Sequence, residues 1–501
     1  MLLIFPPIAK NCEPPAGITA LAGVLRAHGQ ACTIFDANLE SQLFLLDQPT
    51  PATDTWSRRA SRNRESNLTA LRNRQTYASQ DRYRRAVTEL NRLLDRSGPA
   101  GTAISLANYQ DTVLSPLRSD DLLRAAATPE ANPFYSFFSI RLEELLAKNH
   151  PSLIGISLNY LSQALPAFAM LGYLRRRHPG VKIVLGGGLV TSWLANPAWR
   201  NPFGGLIDHL FPGPGEEALL ALLGVSSRKT DYPPDLSDLP LSDYLAPGLI
   251  LPYSASSGCY WRQCSFCPEK AEGHPYHPKD TKRVLTELTL LRERYRPALI
   301  HLLDNAVSPR LLRGLAQRPP GSEWYGFARA EPLLTDPAFC RELRRSGCVM
   351  LKLGLESGDQ GVLDALDKGI DLGRVSRVLG ALAEAGIATY VYLLFGTPAE
   401  TLVEARRTLE FVANHHQQIT YLNLAIFNLP VGSSEATELA VSDFYGGDLS
   451  LYHDFRHPRG WNRKEVRQFL DREFKRHPVI APILRRDPPH YTSNHAPFFR
   501  P

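Results

Sequence analysis

Cysteine is scarce in this sequence: seven among 501 residues, an odd number and unevenly placed. That excludes a disulfide framework and points to a reducing compartment, where a tight thiol cluster signals metal binding or catalysis. No apolar run reaches the ~18 to 20 residues that a bilayer crossing needs. The opening Met-Leu-Leu-Ile-Phe-Pro-Pro lacks the basic segment of a signal peptide, so a cytoplasmic protein without a membrane span is expected. Repeats of the solenoid type are absent. The formal charge of +6 is modest for this length and by itself indicates no nucleic-acid partner.

What charge there is lies unevenly. Residues 57–96 hold eleven arginines, no lysine and four acidic residues (Glu65, Asp81, Glu89, Asp95). Arginine suits phosphate or carboxylate recognition, and a solvated helical face explains the same composition.

Short apolar strands alternate with amphipathic helices, the signature of an α/β chain with parallel sheets covered on both faces. The first series runs through Leu2–Phe5, 31–35, 153–158, 181–185 and 206–211, and is interrupted at about 41–150 by polar, Arg-rich, helical sequence. Residues 226–247, rich in Ser, Asp and Pro, suit a linker. A second series supplies strands at 250–254, 299–303, 324–328, 350–355, 389–395 and 421–427, which predicts a partial barrel of six parallel strands with its site at their carboxyl ends. The domains expected are therefore 1–225, an open parallel sheet of Rossmann-like type with its insertion; the linker; 248–440, the (β/α)6 TIM-like barrel; and 441–501, a helical extension and tail.

Three of the seven cysteines, Cys259, Cys264 and Cys267, fall directly after the first barrel strand. The other four are scattered and suit buried structural thiols. Three thiolates bind zinc if a fourth Cys or His completes the set, with His274 and His277 the nearest candidates. They also bind an iron-sulfur cluster, which normally takes four thiolates; three leave one iron open to a small molecule.

The cysteines, with Phe266 just before the last of them, resemble the radical S-adenosylmethionine enzymes. The family's commonest spacing is three residues and then two, whereas here it is four and then two. Further phrases follow in family order: Phe327-Ala-Arg329-Ala-Glu331-Pro332, Gly347-Cys348, Leu353-Gly354-Leu355-Glu356-Ser357-Gly358, Leu366-Asp-Lys-Gly369, Glu384-Ala-Gly386 and Phe395-Gly396-Thr-Pro398-Ala-Glu400-Thr401. The resemblance covers about 250–432 and implies a 4Fe-4S cluster on the three cysteines, its fourth iron chelated by S-adenosylmethionine. It places Asp304 and Asn305 near the ligand's amino group, Glu356 and Ser357 near its ribose or amino end, Arg329 at its carboxylate, and Gly396 and Pro398 on the adenine side. An external electron donor such as flavodoxin or ferredoxin is implied as a partner.

The amino-terminal sheet resembles the cobalamin-binding domain that precedes many of these enzymes. The residues carrying this are Pro14-Pro15-Ala-Gly17, Asp36-Ala-Asn38, Ser157 and Leu158, Gly186-Gly187-Gly188, and Gly213-Pro-Gly215-Glu216-Glu217. Glycines let backbone approach a flat macrocycle. The Asp-x-His-x-x-Gly phrase that supplies a histidine to cobalt elsewhere is missing, so cobalamin without a protein imidazole is expected. The function implied is reductive cleavage of S-adenosylmethionine to a 5′-deoxyadenosyl radical and cobalamin-dependent methylation of an unactivated carbon. The alternatives are a cobalamin-assisted rearrangement or ring contraction, or a non-catalytic iron-sulfur protein for electron transfer or nucleic-acid binding. No substrate follows from the sequence.

Overall fold

Leu2–Phe5 is four consecutive apolar residues, all buried, as befits an interior strand of a parallel sheet with both faces covered. In the computed structural model, which describes residues 1–49, 54–226, 229, 231–444, 446–488 and 493–500, it is β1 of a five-stranded sheet. The others are β2 (Thr33–Asp36), β3 (Leu153–Ser157), β4 (Lys182–Gly186) and β5 (His209–Leu210). Their order is β2-β1-β3-β4-β5, every pairing parallel. The chain reverses direction across the sheet between β1 and β3, and in such sheets the crevice outside the carboxyl ends at that point is where ligands bind. Helices α1 (Ala16–Ala27), α2 (Leu161–Arg177) and α3 (Gly188–Ala195) make the connections.

The insertion is mainly helical. In Gln80–Ser97 the residues Tyr83, Val87, Leu90 and Leu94 form a buried stripe at helical spacing, while Arg82, Arg84, Arg85 and Arg96 face solvent. Glu89 is buried on that helix, accepting from Asn63 and Asn67 and pairing with Arg59 at 2.9 Å. Arg64 and Arg92 pair with Asp47 and Asp54. Two details are not legible in the pattern: a short antiparallel hairpin, Thr102–Ile104 with Tyr109–Asp111, and a helix starting at Ala37, before the insertion's expected onset.

The chain forms two compact units, one of Met1–Leu249 with 446–451, the other of Ile250–Phe444, Tyr452–Pro488 and 493–500. The second holds six parallel strands in chain order: β6 (Ile250–Tyr253), β7 (Leu299–Leu302), β8 (Glu323–Ala328), β9 (Cys348–Glu356), β10 (Ala388–Phe395) and β11 (Tyr421–Ile426). Helices α4 (Thr281–Tyr295), α5 (Pro309–Gln317), α6 (Pro337–Arg345), α7 (Leu372–Glu384) and α8 (Leu402–Asn414) alternate with them. Among the described residues β6 and β11 do not pair, so the barrel is open. Side chains alternate along a strand, so His301, Tyr325, Lys352 and Tyr390 share the inner face. His301 stacks on Tyr325 at 4.4 Å, and Lys352 Nζ lies 4.9 Å from the Tyr325 ring and 5.0 Å from that of Phe327.

Beyond the barrel, Leu429–Pro430, Val441–Asp443 and Tyr452–Phe455 form a small antiparallel sheet that the sequence pattern does not announce. The helix expected from Arg463 is α-helical to Phe469 and continues as a wider π-type turn, Leu470–Phe474. The tail packs on the β10–β11 side: Tyr390 Oη donates to Asp487 at 2.8 Å and Tyr421 Oη to the Ala496 carbonyl at 2.9 Å. His495 is fully buried, and His490 lies outside the described residues. Among the described residues no helix is long and apolar enough to cross a membrane.

Candidate functional site

Chain leaving β6 is captured at once by Asp304, at the carboxyl end of neighbouring β7. Its carboxylate accepts from the Ala255 N–H at 3.1 Å and from the Ser256 hydroxyl. Ser256 and Ser257 then pair antiparallel with Pro278 and His277, closing the neck of a loop that contains all three clustered cysteines. At the neck Gly258 has φ +69°, and a Cβ there would stand 2.4 Å from the Pro275 carbonyl oxygen, so only glycine passes.

Inside the loop each arm is tied to a later part of the barrel unit. Tyr260 Oη donates to Glu331 at 2.8 Å, after the end of β8, and the other two bonds reach the turn that follows the helix Gln360–Ala365: Trp261 Nε1 donates to the Asp367 carbonyl at 2.9 Å and the Ser265 N–H to the Leu366 carbonyl at 3.1 Å. Cys267 caps the short helix Pro268–Ala271. Cys264 is buried, and Cys259 and Cys267 are half-buried. Burial pushes the Cys264 and Cys267 thiols up; at Cys264 the Lys368 and Arg329 cations pull the other way, and at Cys267 backbone N–H groups do. His274 faces Glu269 at 3.2 Å and Glu272 at 3.4 Å. Among the described residues no three His, Cys, Asp or Glu side chains converge on a point that would hold one metal ion. Thiolates of a four-iron cluster each meet a different iron and need not converge, so the donor set fits the cluster.

Glu356 ends β9 with φ +67°, where the pairing with β10 slips between Gly354 and Glu356. Such a slip re-aims a side chain. Here the carboxylate meets Lys368 Nζ at 2.7 Å, and Gly354 leaves the space: a Cβ there would fall 2.5 Å from Glu356 Oε1 and 2.8 Å from Lys368 Nζ. Lys368 also lies 5.4 Å over the Phe266 ring. Arg329 Nη1 stands 4.0 Å from Cys264 Sγ, its Nη2 donates to the Lys368 carbonyl at 2.5 Å, and its Cζ lies 4.2 Å from the Trp261 ring centre. Arg329 thus meets Cys264 directly, while Phe266 and Glu356 are linked to its surroundings through Lys368. Ser357 and Asn305 are not: the fully buried Ser357 hydroxyl bonds Thr408 and receives the Asp359 N–H, and Asn305 is exposed. The Arg329 guanidinium is engaged by the cysteine loop and by the 366–369 turn.

A separate network surrounds Gly396 at the end of β10. With φ +81° it donates its N–H to Glu400, whose same oxygen accepts from Trp461 Nε1 at 2.9 Å, while the other oxygen is buried without a hydrogen-bond partner among the described residues. Pro398 lies half-buried on the same turn. Burial raises the Glu400 carboxyl from 4.5 to about 7, partly offset by those two N–H donors. A carboxyl raised in the folded state contributes stability that is full below 4.5 and is lost as pH rises through about 7. Glu400→Gln is therefore expected to match the parent at pH 4.5 and to exceed it by about 3 kcal/mol at pH 8. Urea unfolding at both pH values checks this; Asp36 and Asp487, raised to about 6 by burial, slope the same way but cancel between variant and parent.

The other unit presents its own glycine-lined edge. Ser157 ends β3 and its hydroxyl accepts from Asn159 Nδ2 at 3.0 Å; Asn159 Oδ1 receives the Gly188 N–H at 3.0 Å, tying the β3 and β4 ends together. Buried Leu158 donates its N–H to the Gly186 carbonyl at 2.7 Å. Gly213, φ +63°, donates to Thr191 Oγ1 at 2.8 Å and would have nothing within 4 Å of an added Cβ. The edge is open at Gly213, while Gly187 is pressed against the Leu158 peptide.

Lys368, Glu331, Tyr260, Trp261 and Glu400 are the residues sequence reasoning left without a role. All but Tyr260 and Trp261 lie in the phrases quoted above, which were the available signal.

Residues 253–412 match the family model described as the Radical SAM superfamily. A curated relative, an uncharacterized methyltransferase, PH0819, of Pyrococcus horikoshii, is 22% identical over 310 residues, covering 54% of this chain and 66% of its own length. The matched stretches span 66%, 26% and 40% of three curated relatives. Among solved structures, the radical S-adenosylmethionine methyltransferase TsrM of Kitasatospora setae, with tryptophan substrate and a S-adenosylmethionine analogue bound, superposes with a TM-score of 0.56 at 16% identity over 89% of this chain and 79% of that one. The cobalamin-dependent S-adenosylmethionine radical enzyme OxsB with aqua-cobalamin bound gives 0.51 at 15% identity, over 66% and 60%. At these identities the likeness is one of fold.

Proposed function

We infer that this chain, a radical S-adenosylmethionine enzyme through residues 253–412, methylates an unactivated carbon with the help of cobalamin. The observation that carries the reading is the closed cysteine loop at the carboxyl end of β6, buried against Arg329 and Lys368, in a chain that also holds an open parallel sheet of order β2-β1-β3-β4-β5.

Cys259, Cys264 and Cys267 would hold a 4Fe-4S cluster, and the glycine edge at Ser157, Leu158, Gly186, Gly187 and Gly213 would take cobalamin. Bound, the cluster supplies one-electron chemistry and cobalamin supplies methyl transfer. Overall, two S-adenosylmethionine molecules, two external electrons and a substrate C–H give the methylated substrate, S-adenosylhomocysteine, methionine and 5′-deoxyadenosine. The chain's own contribution is placement. Asp304 fixes where the loop leaves the barrel, Glu356 and Lys368 hold a charge pair beside Cys264 and Phe266, and the Gly396 turn with Pro398 offers apolar backbone edges to an adenine. Burial at these strand ends excludes water from a radical.

The test is anaerobic loading of the whole chain with iron, sulfide and hydroxocobalamin, followed by desalting, S-adenosylmethionine and dithionite. Retained cobalamin absorbance and 5′-deoxyadenosine above a Cys259→Ala control are expected. Loss of the cobalamin bands on desalting overturns the methylation reading, and absence of 5′-deoxyadenosine overturns the radical one.

A further inference from the structure

Four residues, Tyr260 to Gln263, separate Cys259 from Cys264, and this long arm needs its own support. Arg262 turns the chain with φ +51°. Trp261 packs against Gly369, where a Cβ would come 2.0 Å from its Cζ2, and the Arg329 guanidinium lies over its ring with Cζ 4.2 Å from the centre. Arg329 is 6% exposed. One guanidinium therefore touches the arm through Trp261, the thiol through Nη1, the 366–369 turn through the Lys368 carbonyl, and Glu331 through Nε at 3.4 Å. Glu331 in turn receives the Tyr260 hydroxyl, so both aromatic residues of the arm end on the Arg329–Glu331 pair.

We propose that Arg329 is a positioning residue for the iron-sulfur site, clamping the long arm and setting, together with Glu331, how readily the bound cluster accepts its electron. This rests on the reading that the three cysteines hold a 4Fe-4S cluster. One-electron reduction adds a negative charge to the thiolate-bound cluster. A buried guanidinium beside one of its thiolates stabilises that charge far more than a solvated cation does, and N–H contacts to cluster sulfurs are among the levers that set such potentials. Glu331, paired with the guanidinium at Nε, opposes it with its negative charge. A clamp alone would affect cluster uptake; a charge pair shifts the potential with opposite sign for each partner.

The experiment is a visible and EPR redox titration of the reconstituted full chain, without S-adenosylmethionine or cobalamin. Arg329→Gln is expected to make the cluster harder to reduce by about tenfold in the one-electron equilibrium, equivalent to 59 mV. Arg329→Lys should recover part of that loss, and Glu331→Gln, which can still accept from Tyr260, should shift the equilibrium the other way. If Arg329→Gln takes up no cluster, the clamp is supported and Arg329→Lys and Glu331→Gln decide the redox role. Potentials unchanged in the variants that hold a cluster overturn this inference alone. A wild-type chain that takes up no cluster overturns the underlying reading and this inference with it.

Discussion

Replacing Cys264 by alanine is expected to remove the iron-sulfur chromophore and, with it, cleavage of S-adenosylmethionine. A four-iron cluster held by three thiolates already has one iron without a protein ligand, so removing another leaves two irons unheld. Loss of a bond to the metal should exceed the 10- to 100-fold that changes beyond the ligands typically cost, so a fall on the order of 100-fold or more in retained iron is anticipated. Cys264 is the most informative of the three because it is the buried one, 8% exposed, with Arg329 and Lys368 turned towards it. Cys340→Ala and Cys348→Ala are the contrast. Both thiols are fully buried and pushed up by burial, Cys340 to about 12, as expected of structural cysteines with no call to ionise. They should keep full iron while costing modest stability. Iron and sulfide analysis after desalting, with circular dichroism to confirm folding, checks all three, and a Cys264→Ala chain that retained a full cluster would remove the ligand assignment.

Gly187→Val should be among the most damaging substitutions outside the cysteine loop. Gly187 has φ +104°, a region β-branched residues do not enter without strain of about 1–3 kcal/mol. A Cβ at this position would stand 2.4 Å from the Leu158 carbonyl oxygen and 2.8 Å from both its carbonyl carbon and its nitrogen. That peptide cannot yield, because the Leu158 N–H donates to Gly186 and its carbonyl accepts from Leu189 at 3.2 Å. Strain and backbone displacement together should cost about 4–5 kcal/mol, the exceptional end of single substitutions. Gly204→Ala, with nothing within 4 Å of the added carbon, should stay within about 0.5 kcal/mol. Urea unfolding followed by circular dichroism distinguishes them. Under the function proposed here Gly187→Val should also lose cobalamin retention, while the cysteine loop, built in the other unit, should still take up iron.

The strands of both sheets were legible because each is a short, continuous apolar run bounded by glycine, proline or polar residues. The expected 350–355 and 389–395 differ from β9 and β10 only at their ends. Where burial is one-sided the pattern thins. The segment 206–211 pairs only through His209–Leu210 at the sheet edge, and the antiparallel pieces at 102–111 and 429–455 are too short and too exposed to show a period of two. The glycines were legible as types, but their need was not: Gly354 and Gly369 are required by Lys368 and Trp261, which approach them from elsewhere in the chain.

The sequence by itself determined the number of thiolates, their place after the first barrel strand and the order of the strand-end phrases, since these are matters of composition and period. Only the tertiary structure decided which cations face Cys264. The Arg329 fork and the Lys368 ammonium are held by contacts 39 and 12 residues apart along the chain, and such pairings are set by the strand register and the bulge at Gly354, which no local pattern encodes.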